Sequence, residues 1–152
     1  MTLASAYDIN DEHGNLVYTV KGKFFSWGDN LSFQKADGTE LAQIRQKLMS
    51  FMPKYEIYIG CKYFARIVRE FSWFKKRFTL DVPGPNDYTI RGDFWNYEYE
   101  FERSNRIVAT VSRKFWSWTD TYGVNIVKGE DDISILAAVV VVSLCNQDDS
   151  DD

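Results

Sequence analysis

Histidine, cysteine and proline are scarce in this chain of 152 residues. The two cysteines, Cys61 and Cys145, are too few for a disulfide framework and favour a reducing compartment. His13 is the single histidine, so every Ser-His-Asp or Cys-His arrangement would need it, and no His-Cys spacing builds a zinc site. The glycine patterns of P-loop and dinucleotide-binding proteins are also absent. We therefore expect no enzyme, no cofactor and no bound metal.

Long hydrophobic runs are missing as well. The first six residues lack the basic region and the apolar stretch of a signal peptide. The most apolar segment, residues 133–145, is shorter than the roughly 20 residues that cross a bilayer. We expect a cytoplasmic protein, either free or peripheral to a membrane.

Excess charge of one sign is confined to the C-terminus. The formal net charge is −4, and four aspartates occupy the last five residues. Without those five residues, the chain has 18 acidic and 18 basic side chains. A neutral body argues against a general nucleic-acid binder. Residues 146–152 are predicted to form an acidic disordered tail.

What the sequence does contain is a repeat. A basic or polar stretch is followed by an aromatic residue or Leu, then Ser, then another aromatic, as in Lys23-Phe24-Phe25-Ser26-Trp27. The Ser, or Asn in one degenerate copy, recurs at positions 26, 50, 72, 96 and 117. Turn residues fall between the copies, and Asp37-Gly38 is the strongest hairpin signal. Segments such as 97–102 alternate apolar and charged residues.

This spacing predicts an antiparallel meander of about eleven strands. A meander that long is expected to close on itself, since closure removes the exposed edges. Residues 133–145 break the pattern after Asp131 and Asp132, which are suited to begin a helix. A helix with no polar face must be surrounded by protein. The prediction is a mainly β protein, a closed antiparallel barrel around a central C-terminal helix.

The combination resembles the LURP-one-related family, which is grouped with tubby C-terminal-like and phospholipid-scramblase-like folds. The resemblance spans residues 7–144, and its carriers are residues 7–15, the Phe-Ser-Trp repeats, residues 92–95, 108–114 and 120–124, and Gly129-Glu130-Asp131-Asp132 before the helix. It implies a twelve-stranded barrel around a hydrophobic helix, with residues 7–145 as a single domain. It also implies proximity to lipid, without ligand residues that align onto this chain.

The start of the chain departs from the family pattern. The repeat calls for one more strand before Tyr7, and residues 1–6 do not match it. These residues are predicted to be unstructured or altered. An eleven-stranded barrel would keep an unpaired edge, which could recruit a second copy or another protein by strand addition.

Basic residues form the patterned polar feature of the sequence. Lys21, Lys23, Arg45, Lys47, Arg69, Arg113 and Lys114 occupy equivalent places in successive repeats. Such places lie at similar heights in a barrel and would form a basic belt. The candidate binding residues for anionic phospholipid headgroups are Arg45, Lys47, Arg66, Arg69, Lys75, Lys76, Arg77, Arg113 and Lys114. The alternative is an ordinary exterior, with the belt balanced across strands by Glu98, Glu100 and Glu102.

Three other interpretations compete with headgroup binding. A calcium loop is suggested superficially by five polar residues near the start of the chain: Asp8, Asn10, Asp11, Glu12 and Asn15. They lack the ligand spacing of such a loop and fit a polar hairpin tip instead. A protein-interaction module would use the unpaired strand edge. A carrier of a small apolar ligand is disfavoured, because residues 133–144 already fill the interior that it would need.

Overall fold

The computed structural model describes residues 3–25, 28–47, 54–70, 77–82, 87–115 and 122–150. Its first six strands are β1 (Leu3–Asn10), β2 (Leu16–Phe25), β3 (Gly28–Lys35), β4 (Glu40–Lys47), β5 (Lys54–Ile59) and β6 (Lys62–Glu70). The later strands are β7 (Arg77–Asp81), β8 (Tyr88–Asp93), β9 (Glu98–Arg103), β10 (Arg106–Ser112) and β11 (Gly123–Ile126). A 3₁₀ turn covers Arg113–Phe115, and one helix, α1, runs from Asp132 to Ser150.

The strands form one antiparallel sheet whose order follows the sequence from β1 to β11. The mainly β architecture and the C-terminal helix are as predicted. Hydrogen bonds between the described strands do not close the sheet, because β1 and β11 remain its end strands. The predicted closed barrel is therefore not confirmed.

The chain divides into two compact units, residues 1–66 and 67–152, where the sequence predicts one domain over 7–145. In the first unit, the strands alternate as their sequences predict. Ala42 and Ile44 of β4 and Tyr55 and Ile57 of β5 are buried, and the residues between them face outward. This alternation places the charged residues of β4 and β5 on one exposed face.

Both predictions for the chain ends need correction. Leu3 to Ala6 lie in β1 and pair with β2, Leu3 opposite Lys23 and Ala6 opposite Lys21. A strand needs backbone partners rather than the repeated side-chain motif, so the missing motif does not prevent pairing. At the other end, α1 continues through Ser150 where a disordered tail is predicted from residue 146.

The second unit contains α1, whose start the sequence places correctly. The Asp131 carboxylate accepts hydrogen bonds from the Ile133 N–H at 3.2 Å and from the Ser134 hydroxyl at 2.8 Å. These bonds satisfy donors that a helix N-terminus leaves unpaired. Side chains from Ser134 to Asn146 are buried all round the helix. Asn146 Nδ2 donates to the Phe94 carbonyl at 2.7 Å, and the hydroxyls of Tyr122 and Ser143 lie 2.6 Å apart.

One glycine in the second unit permits a close backbone approach. Gly92 of β8 has a φ of +138°, and a Cβ there would lie 2.6 Å from the Glu98 carbonyl oxygen and from Tyr99 Cα. Only glycine fits both the torsion and the space. It allows β8 and β9 to pair tightly, which sets the register of the acidic residues on β9.

Candidate functional site

The candidate basic residues are distributed over both units. Arg45, Lys47 and Arg66 belong to the first unit, and Arg113 and Lys114 to the second. Arg69 and Arg77 lie on β6 and β7, where the structure describes only their backbone. Lys75 and Lys76 lie outside the described residues. A continuous belt therefore remains a prediction, and the first unit contains the part that can be examined in detail.

Register brings several of the basic residues of the first unit together. Lys23, Asn30, Arg45 and Glu56 form one row across β2, β3, β4 and β5. In the next row toward the β4–β5 connection, Lys47 of β4 lies opposite Lys54 of β5. We call Arg45, Lys47, Lys54 and Arg66, together with Glu56, the basic strand-end surface. The repeated motif does not predict Lys54, which follows Pro53 outside it.

Glu56 is the carboxylate at the centre of this surface. Lys47 Nζ lies 3.2 Å from Glu56 Oε1, and the Tyr58 hydroxyl donates to the same oxygen at 2.7 Å. Burial acts to raise the pKa of Glu56. The hydrogen bonds from Tyr58 and Lys47 and the charges of Lys47 and Arg66 outweigh that effect, so this pKa lies below its usual value. Glu56 therefore stays ionised throughout the neutral pH range.

Arg45 is held by side chains of β4 and β5. Its guanidinium donates to Gln43 Oε1 from Nε at 3.1 Å and from Nη2 at 2.6 Å. The same group lies 4.3 Å from the centroid of the Tyr58 ring, a cation–π distance. Tyr58 in turn meets Tyr63 edge-on at 6.0 Å. The basic surface is thus backed by aromatic rings that fix the arginine head without neutralising its charge.

In the second unit, the backbone of Arg113 contacts an acidic residue and that of Lys114 contacts Ser112. The Arg113 N–H donates to Glu98 at 3.2 Å, and its guanidinium lies 5.2 Å from the centroid of the Tyr97 ring. Arg91 is opposite Glu100 and lies 3.9 Å from Glu102. The β9 glutamates thus contact the side chain of Arg91 and the backbone of Arg113, and their balance of the basic belt remains a prediction.

A second charged cluster lies beyond the sequence predictions, at the β9–β10 turn. Arg103 Nη2 donates to Glu130 Oε1 at 2.6 Å, and the Tyr88 hydroxyl donates to Glu130 Oε2 at 2.9 Å. Burial and the hydrogen bond to Glu130 raise the pKa of Tyr88 to about 12. The sequence pattern places Glu130 only at the helix start and does not predict its bond to a residue 27 positions earlier.

The acidic turn considered as a calcium loop is a hairpin tip. One carboxylate, that of Asp11, accepts hydrogen bonds from the backbone N–H groups of His13 and Asn15, both at 2.9 Å. The hydrogen bond from the Asn15 backbone N–H makes the largest contribution to lowering the pKa of Asp11. His13 is exposed in this turn. No group of three or more His, Cys, Asp or Glu residues in the described part of the chain is arranged to hold a metal ion.

No helix in the described ranges has the length and apolar character needed to span a membrane.

Three comparisons bear on the identity of the chain. It is 33% identical over 147 residues to the uncharacterized protein YxjI of Bacillus subtilis (strain 168), covering 97% of this chain and 89% of that protein. An X-ray structure of the Arabidopsis thaliana protein AT5G01750 has the same fold, with a TM-score of 0.72 and 20% identity. That match covers 93% of this chain and 85% of the plant chain. The model of the LURP-one-related family matches residues 1–143, and the chain belongs to that family.

Proposed function

We propose that this protein is a non-enzymatic binding module that docks on anionic phospholipid headgroups at the cytoplasmic face of a membrane. The contact is the basic strand-end surface of the first unit. The observation that carries the proposal is the separation of charge along the strands of that unit.

Charge in the first unit depends on position along the strands. At the end where β4 leads to β5, Lys47 lies 3.2 Å from the Glu56 carboxylate and opposite Lys54, and Arg45 lies opposite Glu56. The charge of Arg66 also acts on Glu56. The hairpin tips at the opposite end carry more acidic than basic residues: Asp11, Glu12, Asp37 and Glu40 against Lys35 and Lys62. A unit polarised in this way presents one end to a negatively charged plane and turns the other end away from it.

The size of the expected effect favours a membrane over a single ion. Each Lys or Arg near an anionic membrane contributes about 1 kcal/mol, and the contributions act together without a shaped pocket. The Lys47–Lys54 pair supports this interpretation, because like charges directly opposite each other across strands repel. A negative surface relieves that repulsion.

Vesicle co-sedimentation tests the proposal. Wild-type protein is mixed with vesicles of neutral lipid or of neutral lipid with phosphatidylserine, across a salt titration. We expect binding that requires phosphatidylserine and weakens as salt rises, since exposed charges are screened within about 10 Å at 0.1 M salt. The absence of binding at low salt would overturn the proposal.

A charge-reversal pair locates the contact. Lys47→Glu with Lys54→Glu should lower vesicle affinity at least about tenfold. Lys35→Glu with Lys62→Glu is the matched control, because it reverses two exposed lysines at the hairpin-tip end of the same unit. Equal losses in the two double variants would show that net charge, not the basic strand-end surface, controls binding.

A further inference from the structure

The β9–β10 hairpin holds two arginines opposite each other. Ser104 and Asn105 both have positive φ, +53° and +62°, so the strands reverse over two residues. Arg103 and Arg106 are therefore the closing pair of the hairpin. Directly opposed like charges destabilise an antiparallel pair unless something neutralises them.

Only one of these two arginines is neutralised within the described residues. Arg103 is bound to Glu130, whose side chain is 10% exposed, and its guanidinium lies 5.6 Å from the centroid of the Tyr88 ring. Arg106 is exposed and has no ion pair or hydrogen bond to any side chain in the described ranges. Lys128, in the turn after β11, is also exposed and forms no ion pair or side-chain hydrogen bond within the described residues.

These side chains line a cavity of about 250 Å³ in the second unit. Its polar lining includes Arg103, Arg106, Lys128 and Glu130, which leaves a formal charge of +2. The hydrogen bond from the Val127 N–H to the Val108 carbonyl, 2.9 Å long, fixes the turn that carries Lys128 beside β10. The positive charges are thus placed by backbone structure.

The cavity also has an apolar side. Ile107 and Val127 line it and are about half exposed, at 51% and 52%. A bulge between Ile107 and Ala109 causes the outward position of Ile107, because Val108 is the extra residue on β10. Two exposed branched side chains next to unpaired cations suit a ligand with one anionic and one apolar end.

We propose that this cavity binds a phosphate monoester with a small apolar substituent. A phosphate monoester carries a charge of about −1.5 to −2 at neutral pH, which matches the cavity, whereas a carboxylate supplies half of that. The planar donors of Arg106 suit phosphate oxygens. A volume of about 250 Å³, just below the roughly 300–1,000 Å³ of drug-sized sites, suits a small monoester.

Calorimetric titration with n-butyl phosphate tests this site directly, with inorganic phosphate and n-butanol as partial ligands. We expect butyl phosphate to bind more tightly than inorganic phosphate, because the butyl group covers Ile107 and Val127. Butanol alone should not bind measurably. The absence of butyl phosphate binding at millimolar concentration would overturn the proposal.

Substitution identifies the cations involved. Arg106→Ala with Lys128→Ala should weaken butyl phosphate binding at least about tenfold, since each charged hydrogen bond is lost with its donor. The matched control, Lys35→Ala with Lys62→Ala, removes two exposed lysines of the first unit and should leave the affinity unchanged. Thermal melting of both variants checks that they remain folded. Equal affinities in the two variants would contradict the site.

The source of the monoester is distinguished with vesicles that contain phosphatidic acid, a lipid phosphate monoester. Weaker vesicle binding by the Arg106–Lys128 variant identifies a lipid headgroup. Unchanged vesicle binding, together with lost butyl phosphate binding, identifies a small soluble monoester. Because phosphatidic acid vesicles are anionic as well, both proteins in this comparison also carry Lys47→Glu with Lys54→Glu, which removes the contact through the basic strand-end surface. The two proposals then fail separately.

Discussion

The two units contain the same electrostatic arrangement in different surroundings. In the first, Lys47 and Lys54 oppose each other across β4 and β5, and in the second, Arg103 and Arg106 oppose each other across β9 and β10. Of the two lysines, Lys47 pairs with the partly exposed carboxylate of Glu56. Of the two arginines, Arg103 pairs with a carboxylate from the turn before α1, Glu130, which is nearly buried. A like-charged pair thus lies on an open surface when its carboxylate is on the same strands, and in a cavity when its carboxylate comes from a distant turn.

Replacing the buried counter-charge should have the largest effect. Glu130→Gln leaves Arg103 without an ionic partner, and we expect a loss of about 2 kcal/mol in the free energy of unfolding. For a chain of this length, that lowers Tm by roughly 4 to 8 °C. Glu102→Gln is the control, because its pair with Arg91 is long and exposed and contributes well under about 1 kcal/mol. Equal shifts in calorimetry would contradict a special role for Glu130.

The turns give the next comparison. Asp37-Gly38 places glycine at a φ of +93°, whereas Ser104-Asn105 uses two side-chain-bearing residues at positive φ. Ser104→Asn with Asn105→Gly should stabilise the protein by about 1 kcal/mol, because Asn-Gly prefers this turn. Gly38→Ala should cost a similar amount from the backbone alone, since its Cβ would meet open space. Urea unfolding measures both, and a destabilised Asn-Gly variant would show that the β9–β10 turn is not strained.

Glu56→Gln should have the smallest effect on stability, about 0.5 kcal/mol near neutral pH. The sign of the pH dependence follows from its lowered pKa. The carboxylate stabilises the fold above the unfolded value of 4.5, and this contribution is lost as pH falls through the lower folded pKa. Urea midpoints at about pH 6 and about pH 3.5 should therefore differ less in Glu56→Gln than in wild type. A larger difference in the variant would contradict the assignment.

Local patterns in the sequence predict most of the strands and the start of the helix. Tyr99 and Phe101 alternate with glutamates and are buried in β9, as expected. The four consecutive valines from Val139 favour a strand by propensity, yet they lie in α1. The Asp131 cap and burial on every side outweigh that preference. The helix continues past Cys145 to Ser150. Adding a residue to an existing helix is easier than starting a helix, so the polar residues after Cys145 do not end it.

The charged clusters were harder to predict, because they depend on register. A repeat places Lys21, Lys23, Arg45 and Lys47 at equivalent positions, but it does not place Lys54 opposite Lys47. The Arg103–Glu130 bond joins residues from a strand and a distant turn, which periodicity does not connect. One usable signal was present: arginines flanking a two-residue turn must face each other. That signal predicts the opposed arginines of the hairpin, but it does not predict that Glu130 binds one of them.

Because α1 follows all eleven described strands in the sequence, the ribosome makes it last. Every strand pairs with its neighbour in sequence, so the hairpins of the second unit can form as the chain emerges. The inward residues of those hairpins, such as Phe78 and Phe101, are made well before the buried helix. At about 5–20 residues per second, translation from β9 to Ser150 takes a few seconds. During that interval the apolar faces of the strands are exposed to solvent, and binding by chaperones would prevent aggregation most effectively then.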